Sequence, residues 1–567
     1  MKKVLFSALI IIILGGMSLI SCGPEETTPA ATTPAATTPV ATTPPATTPT
    51  ATANTTAGGM REIPQVVEAL EVPGPSPDGI VGGRVHLTGV QNVANFGDPE
   101  QNSNPTDAMY TAVACEPLLR YDGEGNLVPW LAWKFEIAPD GSSITFYLRE
   151  GIKFQDDTPF NAEAVKFNLD KQINPASVWP DMKPVEKCEI LGDYTVKLTF
   201  KGGQFNWPVV KSLAGAFSCL MFSPTYLKNN APDYKRTHVI GTGPFRLVEF
   251  KRDEYVKFDS FDGYWRGKPF LDGIDYKIIP DANTQLMAFR SGEIDTLMVQ
   301  PKDRESLESD GFEVVEMPAI FVSPLALIPS SNDPNSPLSD IRVRRACEYA
   351  INKKALLDTL GYGLGATCNQ IFPENDPCYN PDTVGYSYNP DEARRLLKEA
   401  GWEKGLKLSF YLVDFLSMDF PLAVQGMWQD VGIETEIIRL SILQINDMVS
   451  GPTARGWQGW FYSYCSSGPG IDPAMALMYG PINNNLFWIS CTQPQELLDL
   501  AAAGAAELNM ENRIKIYQEI SKKMVDDYAQ WLFMYYSLGL VSVSPRIKGT
   551  DLTQGSQFAY AFAWVED

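Results

Sequence analysis

Between Gly456 and Trp488 the chain gathers Trp457, Trp460, Phe461, Tyr462, Tyr464, Phe487 and Trp488, with Ser463, Asp472 and the run Asn483-Asn484-Asn485 among them. Aromatic faces stack on the apolar faces of an organic molecule, and a few amides, hydroxyls and a carboxylate fix its polar edges. Trp457, Trp460, Tyr462, Ser463, Tyr464, Asp472, Asn484 and Trp488 are therefore the candidate ligand-binding residues. Aromatics also build cores, so the expectation attaches to the cluster more than to each ring. Catalysis finds no comparable material. The sequence has no Gly-x-Ser-x-Gly, no His-Glu-x-x-His and no Gly-x-x-x-x-Gly-Lys. Its two histidines, His86 and His238, lie far from the cluster. They leave little for a Ser-His-Asp site and exclude a His-rich nickel site, though not a metal held by a small organic chelator. Asp156-Asp157 and Asp526-Asp527 read as a turn and a solvated helix face, not as the opposed acids of a glycosidase. No catalytic residue, cofactor or protein-held metal is expected.

Strands and helices alternate along the chain that must carry this cluster. Ile144, Phe146 and Leu148 alternate with polar neighbours after the Asp140-Gly141 turn signal, and Val196, Leu198 and Phe200 repeat the pattern after Gly192-Asp193. Period-two alternation of this kind marks half-buried strands. Asn161 is placed to cap a helix carrying Val165, Phe167 and Leu169. Asn389-Pro390-Asp391-Glu392 opens another, with Ala393, Leu396, Leu397 and Ala400 as its apolar stripe and Gly401 as its stop. A further helix is predicted from near Asp340 to about Thr359. Mixed elements without an internal repeat give an α/β fold with more than one lobe.

Of 567 residues, 44% are hydrophobic and 11% aromatic, an ordinary globular composition. The net charge of −22 argues against nucleic acid and against tight binding to anionic lipid. At the N-terminus, Lys2 and Lys3 precede an apolar run ending in Leu19-Ile20-Ser21-Cys22. Gly15, Gly16 and Ser18 interrupt that run, so it suits a secretory signal better than a membrane span. The tetrapeptide resembles a bacterial lipobox, which makes Cys22 the expected lipid-attachment residue and residues 1–22 the signal peptide. Stable anchoring requires two or more acyl chains. Residues 23–60 are almost all Thr, Pro and Ala and have nothing large to bury. Extended as polyproline II, such a spacer reaches up to roughly 100 Å. Eight further cysteines permit disulfides outside the cytoplasm, Cys368 and Cys378 being the nearest candidate pair.

Taken in order, several segments resemble the extracellular solute-binding proteins of the peptide/nickel class, the family 5 receptors of ATP-driven importers. They include Glu116-Pro117-Leu118-Leu119-Arg120-Tyr121-Asp122, Leu148-Arg149-Glu150-Gly151-Ile152-Lys153-Phe154, Gly241-Thr242-Gly243-Pro244-Phe245, Gly263-Tyr264-Trp265-Arg266-Gly267-Lys268-Pro269, Ser291-Gly292-Glu293-Ile294-Asp295 and Asp340-Ile341-Arg342-Val343-Arg344-Arg345-Ala346. The resemblance implies a two-lobed periplasmic-binding-protein-like α/β fold with an inserted subdomain and a two-segment hinge. Lobe one would span 61–318 plus 540–567, with the insertion at about 111–230. Lobe two would span 319–539, with hinge segments near Phe321 to Leu327 and Tyr535 to Val543. The implied protein is monomeric, sits lipid-anchored on the outer face of the cytoplasmic membrane, closes on a solute and hands it to the permease of an ABC transporter. Within these motifs, Gly241 and Gly243 are expected to serve unusual backbone angles, and Arg342 and Arg344 to pair with carboxylates. Peptide-binding members resemble Trp-x-x-Asp-Tyr at the aromatic cluster, their Asp holding the peptide's α-amino group. Here Trp460-Phe461-Tyr462-Ser463-Tyr464 puts a serine at that position, and a buried ammonium needs a carboxylate. Asp472 is the candidate substitute. An oligopeptide is thus expected narrowly ahead of an oligosaccharide or other neutral solute. A sensor lipoprotein would read the same, and a secreted glycoside hydrolase is a remote alternative.

Overall fold

The computed structural model describes residues 66–68, 76, 78–89, 93–99, 105–121, 127–174, 182–214, 219–316, 323–374, 376–414, 416–441, 444–445, 448, 457–464, 491–537, 539–550 and 560–566. Cys22, Cys465, Asp472, Asn484 and Trp488 lie outside them, as do the signal and spacer segments. In chain order the first elements are β1 (Val66–Glu68), β2 (Arg84–Gly89), α1 (Pro105–Ala114), β3 (Leu119–Tyr121), β4 (Leu127–Pro129), β5 (Ala132–Ile137), β6 (Ser143–Leu148), α2 (Ala162–Ile173), β7 (Val185–Gly192), β8 (Thr195–Phe200) and α3 (Trp207–Ser212). The alternating segments pair as their pattern requires. β6 lies antiparallel to β8 with Ile144 opposite Leu198 and Phe146 opposite Val196, inside a five-stranded sheet of order β1-β5-β6-β8-β7. Gly141 takes a φ of +72° in the turn between β5 and β6. The Asn161 side chain accepts the Ala164 N–H and caps α2, which packs on β7.

Next come α4 (Pro224–Asn229), α5 (Pro232–Lys235), β9 (Phe245–Lys251), β10 (Tyr255–Ser260), β11 (Gly273–Ile278), α6 (Ala282–Arg290), β12 (Thr296–Val299), α7 (Arg304–Ser309) and β13 (Val315–Glu316). β2, β11, β10 and β9 form a second sheet in which only β2 and β11 run parallel. A buried carboxylate joins this layer to the first. Glu116, wholly buried after α1, accepts the Trp130 and Trp265 indole N–H groups at 2.9 and 3.0 Å and the Tyr264 hydroxyl at 2.8 Å. Gly241 and Gly243 both have ordinary negative-φ backbone, unlike the expectation. What glycine provides is room. A Cβ at Gly241 would stand 2.2 Å from the Ala114 carbonyl oxygen, and one at Gly243 would stand 2.7 Å from the Ala114 carbonyl carbon.

The remaining elements are β14 (Ser323–Pro329), α8 (Ile341–Tyr349), α9 (Lys353–Leu360), β15 (Gly365–Thr367), α10 (Pro390–Glu399), β16 (Leu406–Val413), α11 (Asp419–Gln429), β17 (Ile433–Leu440), β18 (Gly459–Tyr464), α12 (Gln495–Ala506), α13 (Met510–Lys522), β19 (Leu532–Ser537), β20 (Leu540–Val543), β21 (Ile547–Lys548) and β22 (Trp564–Val565). A six-stranded mixed sheet runs β15-β19-β14-β18-β16-β17. The helix expected from Asp340 to Thr359 is two helices. Asn352 breaks it, its side chain accepting the Ala355 N–H as the cap of α9. Asn389 caps α10 as expected. Arg342 pairs with Asp340 at 2.6 Å, but among the described residues Arg344 forms no ion pair within contact distance. Arg344 is buried and donates to the carbonyls of Ala529, Leu338, Ser339 and Tyr528, and burial lowers its pKa to about 10. The Cys368–Cys378 pairing is also absent. Both are buried thiols, as are Cys115, Cys188, Cys219, Cys347 and Cys491.

Period two sorts the large sheet's side chains into two cores. Leu327, Phe410, Trp460, Tyr462 and Met534 face α8, α9, α10 and α11. Ala326, Ile328, Phe461 and Phe533 belong to the opposite core, which takes in α12 and α13 and continues into the five-stranded sheet. Among the described residues no helix is long and apolar enough to cross a membrane.

Candidate ligand-binding site

The chain passes between its two sets of sheets at two adjacent places. After β13 it enters the six-stranded sheet as β14, and it leaves as β19, two residues before β20 begins. β14 and β19 lie side by side and antiparallel, Ser323 opposite Ser537. β20 pairs instead with β12 and β13, the Thr296–Val543 and Val315–Val541 registers tying it to the first half of the chain. The tail beyond it stays there. Arg546 reaches both oxygens of the buried Asp295 at 2.6 Å, and Asp295 also accepts the His86 backbone N–H at 2.7 Å. Two neighbouring strands carrying every crossing leave rotation about that pair as the soft motion.

β18 lies next to β14, with Tyr464 opposite Leu325 and Ser463 opposite Ala326, so the C-terminal end of β18 sits beside this crossing. The predicted site residues do not all gather there. Trp460 is wholly buried, 6.0 Å from Trp428, and Tyr462 stacks on Phe420 at 4.8 Å with 25° between the rings. Both rings belong to the helix-covered core, not to an open wall. Trp457 belongs to the opposite core, edge-on to Tyr411 at 5.4 Å, with its buried indole N–H lacking a hydrogen-bond partner. Ser463 and Tyr464 are described as backbone of β18, and Asp472, Asn484 and Trp488 lie outside the described residues. Among the described residues no group of three His, Cys, Asp or Glu side chains is placed to hold a metal ion.

Residues 126–478, well over half of the chain, match the model of bacterial extracellular solute-binding proteins, family 5 (middle). The chain belongs to this family. The dipeptide-binding protein of Escherichia coli (strain K12) is 27% identical to it over 464 residues, 75% of this chain and 84% of that one. Heme-binding protein A of Haemophilus influenzae is 27% identical over 469 residues, 75% of this chain and 82% of that one. The periplasmic binding protein DppA from Helicobacter pylori, solved in complex with peptide STSA, has the same fold at a TM-score of 0.75 and 20% identity, covering 86% of this chain and 99% of that one. This family 5 solute-binding protein therefore has the two-lobed α/β fold with an inserted subdomain and a two-segment hinge. Its named relatives are binding proteins, and the Trp460 and Tyr462 rings of β18 pack here in the helix-covered core that holds the strand in place.

Proposed function

We propose that this protein captures an oligopeptide-like solute between its lobes and delivers it to the permease of an ABC transporter, acting as a monomer tethered through lipid on Cys22. Lobe one comprises 61–318, with the insertion at about 111–230, plus 540–567. Lobe two comprises 319–539. The observation that carries this reading is the β14/β19 pair, which confines both crossings to one narrow band and so permits closure on a solute. Relatives named for dipeptide and for a peptide complex supply the ligand class. A binding role without catalysis follows from the same relatives and from the missing catalytic motifs.

Ser463 favours a second ligand class. Without a carboxylate at that position of β18, the site has weaker reason to demand a free α-amino group, and a neutral solute such as an oligosaccharide fits as well. Calorimetric titration with matched free and N-acetylated peptides tests this. Wild type is expected to bind the two forms within about threefold of one another, while Ser463→Asp gains about tenfold or more for the free amine alone. A wild type that binds only free-amine peptides places the amine anchor elsewhere, and one that binds oligosaccharides but no peptide overturns the peptide reading. Cys22→Ala is expected to move the protein from the membrane to the soluble fraction, or to leave an unprocessed precursor. Normal lipid labelling of that variant excludes Cys22 as the anchor.

A further inference from the structure

The two crossing strands are not the only buried connection between the inserted sheet and the second half of the chain. α3, in the insertion, packs against α12. Asn206 caps α3 by accepting the Val209 N–H, and Pro208 sits in its first turn, so Trp207 is presented from a fixed start. The Arg513 guanidinium, on α13, stands 4.6 Å from the Trp207 ring centroid. Both side chains are 3% exposed. Arg513 is held in place from behind, its Nε donating to the Glu507 carbonyl at 2.8 Å and its Nη2 to the same oxygen. Lys211, one turn along α3, is also buried and lies 5.8 Å from the same ring. Leu508 reaches the Gly141 turn of the inserted sheet, where an added Cβ would stand 3.3 Å from it.

We infer that the inserted subdomain and lobe two meet in a reversible latch centred on Trp207 and Arg513, which holds the lobes closed independently of the hinge. The inference rests on the proposal that the lobes open and close. Its helices share a buried core with β14 and β19 but are not part of the crossing pair, so swinging about those strands displaces α3 against α12 and α13. A cation fixed over a desolvated indole favours the closed arrangement. The contact is nonetheless built to release. The Trp207 indole N–H is buried without a hydrogen-bond partner and regains water when the faces separate, which lowers the cost of opening. The latch predicts slow solute release, since closure must be undone in two places.

Single-molecule energy transfer on the unliganded full chain tests the inference. Dyes on Leu191→Cys and Val384→Cys report the latch side, and dyes on Val248→Cys and Val384→Cys report lobe one's other sheet against lobe two. All three positions are exposed, whereas the seven described native cysteines are buried. A Cys465→Ser background removes the remaining extracytoplasmic thiol. Arg513→Met keeps the apolar stem and removes the charge, and Trp207→Leu keeps a buried apolar side chain, so folding of either variant is checked by circular dichroism. The expected result is two distances for both pairs in the parent, with the closed population falling about fivefold or more in each variant. One short distance on the latch side in parent and variants, with two on the other pair, means that insertion and lobe two move as one body and overturns the latch alone. A single distance for both pairs means that the lobes do not move and overturns the hinge proposal itself. Two distances whose populations ignore both substitutions also overturn the latch.

Discussion

Trp460→Ala is expected to lower the stability of the second lobe by about 3–5 kcal/mol, whether or not a solute is present. The indole is wholly buried on a strand that is paired on both sides, with β14 at one edge and β16 at the other. It packs at 6.0 Å from Trp428, itself wholly buried and fixed by an indole N–H donating to the Cys347 carbonyl at 2.9 Å. Nothing on α8 or α11 can move in to fill the space without breaking that anchor, so the substitution leaves a cavity as well as lost transfer energy. Trp460→Phe should recover much of the loss. Urea unfolding followed by circular dichroism reads the change, taken on the lobe's own transition because a two-lobed chain need not unfold in one step. Affinity per folded molecule should stay within about threefold of wild type, since truncating a core residue acts through stability. A loss below about 1 kcal/mol together with collapsed binding would place Trp460 at the solute instead.

That outcome separates what the sequence discloses from what it conceals. Strands with one polar face, such as β6 and β8, announce themselves by alternation, and their register follows from it. The caps Asn161 and Asn389 act within a few residues of their own positions, so they too are legible. β18 differs because both of its faces are covered. Trp460 and Tyr462 go to one core and Phe461 to the other, so an all-aromatic run carries no sign of which face, if either, meets a ligand. Long-range contacts conceal the rest. Gly241 is needed because the Ala114 carbonyl lies against it, a contact across more than a hundred residues. Arg344 finds the carbonyls of Tyr528 and Ala529, the latter 185 residues away in sequence, which no local pattern identifies. The Trp207–Arg513 contact joins segments even further apart, and its one local trace is the Asn206-Trp207-Pro208 helix start. The Asn352 break is local, because a good N-cap inside an apolar periodicity marks a new helix.

Glu116→Ala is expected to be about as damaging as the Trp460 change, for an electrostatic reason. The side chain is wholly buried and meets three hydrogen-bond donors, two indoles and a phenol, drawn from both of lobe one's main sheet regions. Removing the acceptor strands all three in a site water does not reach, which costs about 3–5 kcal/mol. Glu116→Gln should recover only part, because one amide oxygen can serve one side while the amide nitrogen, itself a donor, faces an indole N–H. Burial is the largest influence on the Glu116 pKa and raises it, with the Trp265, Tyr264 and Trp130 donors opposing. The folded state therefore holds this proton to higher pH than the unfolded chain does. By linkage, the group's contribution to stability is greatest below the ordinary carboxylate range and declines as pH rises through the raised folded value. Urea titrations of wild type and Glu116→Gln across that window should show wild type losing ground to the variant as pH increases, with no further change above it. A difference that grows with pH instead would mean that the three donors outweigh burial and hold the carboxyl below its usual range, making Glu116 a charged anchor for Trp130 and Trp265.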